Sequence, residues 1–382
     1  MRIGFDAKRA FFNNTGLGNY SRNTIRQLTI CFPENEYLLY VPKKKIRVEF
    51  DYGVARTIFP ESFTGKCFPS YWRSFLINSQ LYSDNPHIYH GLSNELPFGI
   101  DKMNCKKIVT IHDLIFIRYP ELYKPIDRKM YLKKFSNAAR VADIVIAVSQ
   151  QTKRDLVEFL KVPEDKIRVV YQGCNPVFYQ ECPSEILEKA RTEYDLPKEF
   201  ILYVGTIEER KNLLLAIKAL NEGHVKVPLV AIGRKTDYFQ QIEAYLSGCS
   251  AEFKRQIIFI DNLPNEMLRA FYKLAKVFVY PSVFEGFGIP ILEALASGTP
   301  VITSKGSCFS EAGGPGSLYV DPKNPVEMAD ALKAVLGSED QRKTMICEGL
   351  KYASDFTDEK VAVNMMTVYQ EVTGIKNNVS FD

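Results

Sequence analysis

The 382-residue chain has no unbroken apolar run long enough to cross a bilayer. Its first residues, Met1-Arg-Ile-Gly-Phe-Asp6, lack the apolar core of a signal peptide and read instead as a strand that ends on an acid. These absences predict a cytoplasmic protein, peripheral at most on the inner face of a membrane. Eight cysteines stand at 31, 67, 105, 174, 182, 249, 308 and 347, and none forms a close pair at metal or redox spacing. Reduced, buried thiols in a reducing compartment are expected. Nothing repeats at solenoid periods and no segment is low in complexity. No Asp-x-Asp occurs, so the motif that holds a cation on a diphosphate in some transferases is missing, and the expected site contains no metal and no cofactor.

What is present suits two domains, since a chain of this length exceeds one compact core. The first half alternates strand-like runs (3–6, 36–41, 87–90, 107–111, 144–148 and 167–171) with helix-like segments such as 20–31 and 153–160. A second set follows at 200–204, 227–232, 256–260, 277–280 and 301–303. Strand and helix in this order imply two parallel, doubly wound α/β sheets. Domains are expected at 1–173 and 198–357, with 174–197, rich in turn formers, as a hinge. A last helix, from about 358 to 382, carries an apolar stripe of Val361, Met365, Val368 and Val372.

Charge is uneven. Residues 1–173 hold 27 Lys and Arg against 17 Asp and Glu, and the remainder holds 22 against 28. Much of the basic excess lies in Lys43 to Arg47 and in 118–135, where Lys124, Arg128, Lys129, Lys133 and Lys134 alternate with Tyr119, Tyr123, Tyr131 and Phe135. Such a surface suits nucleic acid, an anionic membrane or a polyphosphate-linked partner, and a solvated charged face is the plain alternative.

Four stretches carry candidate chemistry. Thr15-Gly16-Leu17-Gly18-Asn19-Tyr20 opens a helix after the first strand, but the third glycine of a dinucleotide fingerprint is missing, which disfavours NAD. Thr110-Ile111-His112-Asp113-Leu114 ends a buried strand with a histidine and an acid. His87 and His90 lie three apart on a strand, on opposite faces, so they make no joint metal site, and His90 is expected to line an acceptor side. Gly205-Thr206-Ile207-Glu208-Glu209-Arg210-Lys211-Asn212 sets two adjacent cations at a predicted helix start, which the helix dipole opposes unless something negative sits there. Finally, Pro281 to Pro300 reads as strand end, glycine loop and helix. Gly286 and Gly288 permit close backbone approach, and Glu285 and Glu293 bracket the turn.

The last stretch resembles the Glu-x7-Glu signature of retaining GT-B glycosyltransferases, family 4 in particular. The glycine loop, the His-Asp-Leu motif and the Arg-Lys-Asn motif fall in that family's order, so the resemblance covers nearly the whole chain. It implies a GT-B fold of two Rossmann-like domains facing each other across a cleft, with the last helix crossing back to the first. By the same resemblance Gly16, Gly18, His90 and Asp113 lie on the cleft or acceptor side, and His112 lies beside the transferred sugar. Arg210, Lys211 and Gly205 serve the donor diphosphate, Glu285 the sugar hydroxyls, and Glu293 the ribose. The amides of Gly286, Phe287 and Gly288 meet the sugar and diphosphate. Many relatives carry arginine where this chain has Thr206, a task that Arg210 would take over.

The implied activity is transfer of a hexose, mannose from GDP-mannose being the best match, from a nucleotide diphosphate sugar to a glycan or polyprenyl-diphosphate-linked acceptor in polysaccharide synthesis, with no nucleic acid involved. Two other classes share the architecture. A nucleotide-sugar epimerase would need acid/base pairs that this chain does not display, and a non-catalytic partner protein would have lost the motif residues that this chain keeps.

Overall fold

The computed structural model describes residues 1–261 and 263–375. The chain divides into two compact units, Met1–Gly173 with Asp358–Asp382, and Cys174–Thr357. Residues 376–382, which the sequence reading included in the last helix, lie outside the described residues.

In the first unit the strands β1 (Arg2–Asp6), β2 (Glu36–Tyr40), β3 (Arg56–Ile58), β4 (Ile88–Gly91), β5 (Lys106–Ile111), β6 (Ile144–Ala147) and β7 (Ile167–Val169) form one sheet in the order β3-β2-β1-β4-β5-β6-β7. Every pairing is parallel. The central strands are buried on both faces, as their continuous Ile, Val and Leu content requires of a sheet covered by helices on either side. On one face the helix Asp358–Thr373 packs Ala362, Met365, Met366, Val368 and Tyr369 against Ile3, Phe5, Ile25 and Leu28. The stripe at 361, 365, 368 and 372 is therefore buried in the first unit, with Val361 and Val372 at its margin.

The second unit repeats the plan with β8 (Ile201–Val204), β9 (Leu229–Ile232), β10 (Ile257–Ile260), β11 (Val277–Tyr280), β12 (Val301–Ser304) and β13 (Leu318–Val320), ordered β10-β9-β8-β11-β12-β13 and again parallel. In both sheets the order reverses beside the first strand of the unit, the place where loops at the carboxyl edge diverge and leave a crevice. Residues 174–197, expected as a hinge, are part of this second unit. Their helix Ser184–Glu193 packs against the helix Asn265–Leu274, and Tyr194 sets its ring 5.3 Å from that of Phe271. Turn formers there shape the entry to an ordered helix.

The acid that ends β1 has a structural reason. Asp6 is buried and accepts from Arg73 Nε and Nη2 at 2.8 and 2.5 Å. Arg73 lies on a π-helical turn, Trp72–Leu76, and donates from Nη1 to Glu95 at 2.7 Å. Lys134 Nζ completes the group at 3.2 Å from Glu95. Arg73→Ala would strand the buried Asp6 carboxylate and leave Glu95 with Lys134 alone, so a loss of about 3–5 kcal/mol is expected in urea unfolding; an unchanged midpoint would show that the ion pairs carry no stability.

Candidate functional site

The densest cluster of ionised groups in the second unit lies at the carboxyl edge of β8 and β11. After β11 the chain runs Pro281-Ser-Val-Phe-Glu285-Gly-Phe-Gly288 into the helix Ile289–Ala296, with Pro290 in its first turn. Gly288 precedes the helix at φ +120°, a conformation that side-chain-bearing residues rarely adopt. Its Cβ would also meet Ile291 and Ala312 at 3.2 and 3.3 Å, so the turn can close only with glycine.

Glu285 is almost fully buried and both its oxygens are occupied. Oε1 accepts from Lys211 Nζ at 2.8 Å, Tyr280 Oη at 3.0 Å and Ser282 Oγ at 3.0 Å. Oε2 pairs with Arg210 Nη1 at 2.6 Å. Arg210 in turn donates to Phe284 O at 2.7 Å and Glu208 Oε1 at 2.7 Å. Burial alone would raise the Glu285 carboxyl, but Lys211 and Arg210 outweigh it and hold it down at about 2.

The two cations do not open a helix, as the sequence suggested. They sit in a 3₁₀ turn, Glu209–Lys211, and Asn212, in a left-handed conformation, separates them from the helix Leu213–Glu222. The negative partner that their spacing demanded is Glu285 itself, together with Glu208. Asn212 ties the turn down by donating to Pro322 O at 2.8 Å and Pro281 O at 3.2 Å. Gly205, at the end of β8, lies directly under Lys211, whose Cδ would be 3.1 Å from any added Cβ.

Glu293, one turn into the helix Ile289–Ala296, is in a different electrical state. Its carboxylate accepts from Tyr272 Oη at 3.0 Å. Burial pushes its carboxyl up to about 7, and neither Tyr272 nor the more distant charge of Lys211 cancels that. Two carboxylates of one motif thus differ, one fixed in its charged form and one poised near neutrality.

In the first unit His112 follows β5 and is buried. Its Nε2 donates to Leu92 O at 2.9 Å, its backbone N–H donates to Asn94 Oδ1 at 2.8 Å, and Thr152 Oγ1 donates to its carbonyl at 3.2 Å. Burial lowers the imidazole to about 4 despite the Leu92 bond, so it is neutral near pH 7. Asp113 caps the next turn, accepting from Ile115 N at 3.1 Å. The glycine loop opens the helix Gly16–Cys31. A Cβ on Gly18 would lie 1.8 Å from Asn13 O, whereas Gly16 has open space around it.

His90 is a correction. It lines no acceptor surface: it is wholly inside the core, with Nδ1 2.6 Å from Tyr369 Oη and Nε2 2.9 Å from Thr110 Oγ1. The basic segment needs one as well. Tyr123 and Tyr131 turn inward on Phe116, and Tyr131 also packs on Phe135, while Arg118 is bound to Asp155 and Glu158 and Lys134 to Glu95. The residues left exposed on the helix Pro125–Val141 and just before it include Lys124, Ile126, Lys129, Met130, Leu132 and Lys133. Among the described residues no group of His, Cys, Asp and Glu could hold a metal ion, and no helix is long and apolar enough to cross a membrane.

Comparison with known proteins decides the family. A family model described as Glycosyl transferases group 1 matches residues 185–352, and one described as Glycosyltransferase Family 4 matches residues 16–178. Sucrose-phosphate synthase from Thermosynechococcus elongatus superposes with a TM-score of 0.76 at 21% identity, covering 98% of this chain and 99% of that one. Anabaena HepE in complex with UDP and glucose gives 0.73 at 14% identity, covering 97% and 100%. The chain belongs to the GT-B glycosyltransferases. This glycosyltransferase is 28% identical over 290 residues to the O-antigen chain mannosyltransferase B of Escherichia coli, 74% of each chain. It is 28% identical over 250 residues to the mannosyltransferase RfbU of Salmonella typhimurium, 63% of this chain and 66% of RfbU. A match to the serotype-specific mannosyltransferase WbdA of Escherichia coli, 27% identical over 275 residues, spans only 34% of that longer protein.

The sequence-predicted residues of the glycosyltransferase therefore fall into two groups. Gly205, Arg210, Lys211, Glu285, Gly286, Phe287, Gly288 and Glu293 lie at one sheet edge of the second unit, and Gly16, Gly18, His112 and Asp113 lie in the first. Tyr272, Tyr280 and Ser282 were missed, although Tyr280 is the last residue of a buried strand and so had to emerge at the carboxyl edge.

Two outcomes follow. Between the ordinary 4.5 and about 7 the folded protein keeps the Glu293 proton that the unfolded chain releases, so this contribution to stability is lost as pH rises through that window. Glu293→Gln should therefore raise Tm above native at pH 8 and match it near pH 4.5; an equal offset at both values would exclude the raised carboxyl. Gly18→Ala should cost about 1–3 kcal/mol while Gly16→Ala stays within about 0.5 kcal/mol of native, read from thermal unfolding.

Proposed function

We propose that this glycosyltransferase moves mannose from GDP-mannose, with retention at the anomeric carbon, to a polyprenyl-diphosphate-linked glycan. The observation that carries the reading is the Arg210–Lys211–Glu285 cluster on the loop that opens the helix Ile289–Ala296. A nucleotide sugar offers an anionic diphosphate beside a hydroxyl-bearing ring. The diphosphate competes with Glu285 for Lys211 and Arg210, and Glu285 then turns its vacated oxygens to the sugar hydroxyls. Partners are exchanged among groups already held out of water, so little reorganisation is left for the reaction itself.

The leaving diphosphate gains charge as its bond to the anomeric carbon breaks, and the two cations and the positive end of the helix dipole oppose that charge. No metal is needed in this scheme. The acceptor oxygen bonds to the same face of the anomeric carbon, and its proton passes to a donor phosphate oxygen, so no side-chain base is required. The tautomer of His112 that donates Nε2–H to Leu92 leaves Nδ1 as an acceptor for a sugar hydroxyl. Glu293, ionising near neutrality, accepts from the ribose. The mannosyltransferase relatives support mannose as the sugar, and the UDP-sugar complex of a structural neighbour supports a nucleotide donor.

A lipid-linked acceptor calls for a membrane-facing surface, and we assign one to the first unit. Phe68, just before the helical segment 69–76, and Tyr71 and Phe75 within it are 64%, 52% and 47% exposed, while Trp72 between them is buried. The Phe75 ring stacks on Phe98 at 5.2 Å, and Lys133 Nζ lies 5.9 Å from the Phe98 ring centre, so the aromatic face is continuous with the basic helix Pro125–Val141. Aromatic and aliphatic side chains beside lysines suit the interface of an anionic bilayer better than water.

The first test is thermal shift with GDP, UDP, ADP and their sugars, with and without EDTA. Stabilisation by GDP and GDP-mannose that persists in EDTA and weakens in Glu293→Ala is expected, and Lys211→Ala should lower transfer by about 10²–10³-fold. A shift that needs a divalent cation would overturn the metal-free scheme. For the surface, flotation with phosphatidylglycerol vesicles should be lost in Lys124→Glu/Lys129→Glu/Lys133→Glu and weakened in Phe68→Ser/Phe75→Ser; flotation indifferent to anionic lipid removes the assignment.

A further inference from the structure

A buried polar path runs through the apolar core of the first unit and ends beside His112. Tyr369, on the helix Asp358–Thr373, reaches His90 Nδ1 at 2.6 Å. The other nitrogen of His90 is 2.9 Å from Thr110 Oγ1, and Thr110 Oγ1 is 3.0 Å from Tyr20 Oη. The Tyr20 ring stands edge-on to the His112 imidazole, centroids 4.6 Å apart and planes at 90°. Tyr369, His90 and Thr110 are wholly inaccessible, and Tyr20 and His112 nearly so.

Nothing about folding requires this. The surrounding side chains are Ile3, Phe5, Ile25, Leu28, Ile108, Met365 and the like, and residues of matching shape without polar atoms would fill the same space with no hydroxyls to desolvate. Burial, and to a smaller extent His112, push the His90 imidazole down to about 3. The ring is therefore neutral and carries a single N–H, so the path is ordered in one direction: if Tyr369 donates to Nδ1, Nε2–H donates to Thr110, and the Thr110 hydroxyl is left to donate to Tyr20. Each bond fixes the next rotor. Thr110 and His112 stand two residues apart along the same stretch of chain, on one side of the sheet, so the path fixes the strand end as well as the tyrosine that walls the imidazole.

We propose that His90 and Tyr369 are positioning residues: through Thr110 and Tyr20 they hold the His112 imidazole in the orientation and tautomer in which Nε2 donates to Leu92 and Nδ1 is presented to a ligand. This rests on the reading, given above, that His112 meets the transferred sugar. The last helix thereby acts on the His112 site without touching substrate, and the pattern Tyr369–His90–Thr110–Tyr20 gives a role to a histidine that the reaction scheme does not use.

The chain has four histidines, so ring spectra of the full-length protein labelled with ¹⁵N in histidine alone can be assigned by single substitutions. Native His112 should show one tautomer with the proton on Nε2. In Tyr369→Phe, which keeps the ring and deletes one hydroxyl, and in Thr110→Val, the His112 signals should move toward a mixture of tautomers, and Thr110→Ser should restore them. An unchanged His112 spectrum in both folded variants overturns the proposal, whatever donor the enzyme takes. Kinetics supply a second reading with GDP-mannose hydrolysis as the probe. Tyr369→Phe should lower kcat by about tenfold to a hundredfold with KM within about twofold of native, and should cost nothing further in a His112→Ala background. Full additivity of the two losses would mean that Tyr369 acts on stability or elsewhere, which sinks the relay. If His112→Ala alone keeps native turnover, it is the sugar contact of His112 that fails, and the spectra still decide the relay.

Discussion

One carboxylate, that of Glu285, holds the loop after β11 in shape. Its two oxygens gather Lys211, Arg210, Tyr280 and Ser282, and those partners come from two separate pieces of chain, 210–211 and 280–282. Remove the negative charge and two adjacent, largely buried cations are left with Glu208 as their remaining acid. A buried ion group of this kind contributes little net stability, since desolvation nearly offsets attraction, but it admits few alternative arrangements. The loop after β11 is thereby specified by charge more than by apolar packing, and the same charges are available to an anionic ligand that can offer equivalent partners.

The first unit uses the same device at the corresponding edge of its own sheet. Asp6 closes β1 and is held by Arg73, which also binds Glu95. Parallel sheets covered on both faces leave their interiors to Val, Ile and Leu, so charged groups gather where the strands stop. His90 is the exception, an imidazole in the midst of the core, and its two hydrogen bonds make the burial tolerable.

Much of this was legible in the chain. Strands of four or more consecutive buried residues announced themselves, and so did the glycine turn between Glu285 and Glu293. The three-residue edge strands β3 and β13 did not, because so short a run leaves no periodicity to read; β7, equally short, was legible only because its apolar run continues past the ladder to Tyr171. The adjacent cations at 210 and 211 signalled a missing negative charge, but nothing local could say that the charge stood 74 residues on in the same unit. His90 was misread for a related cause. Its place at a strand end suggested an open edge, whereas Tyr369, 279 residues away, covers it. The tyrosines of 118–135 look amphipathic in sequence and turn inward because Phe116 and Phe135 offer them an apolar seat.

The first unit is discontinuous in the chain: its core needs Met365, Met366, Val368 and Tyr369, and residues 174–357 intervene. On a ribosome that adds about 5–20 residues per second, roughly 10–40 s pass between the emergence of β7 and that of the helix Asp358–Thr373. During that interval the second unit can complete itself while the first waits with a greasy face uncovered and His90 held by Thr110 alone. The nascent protein therefore matures out of order, the later-made half first, and a truncation between Thr357 and Tyr369 leaves a well-formed second unit attached to a first that is unfinished.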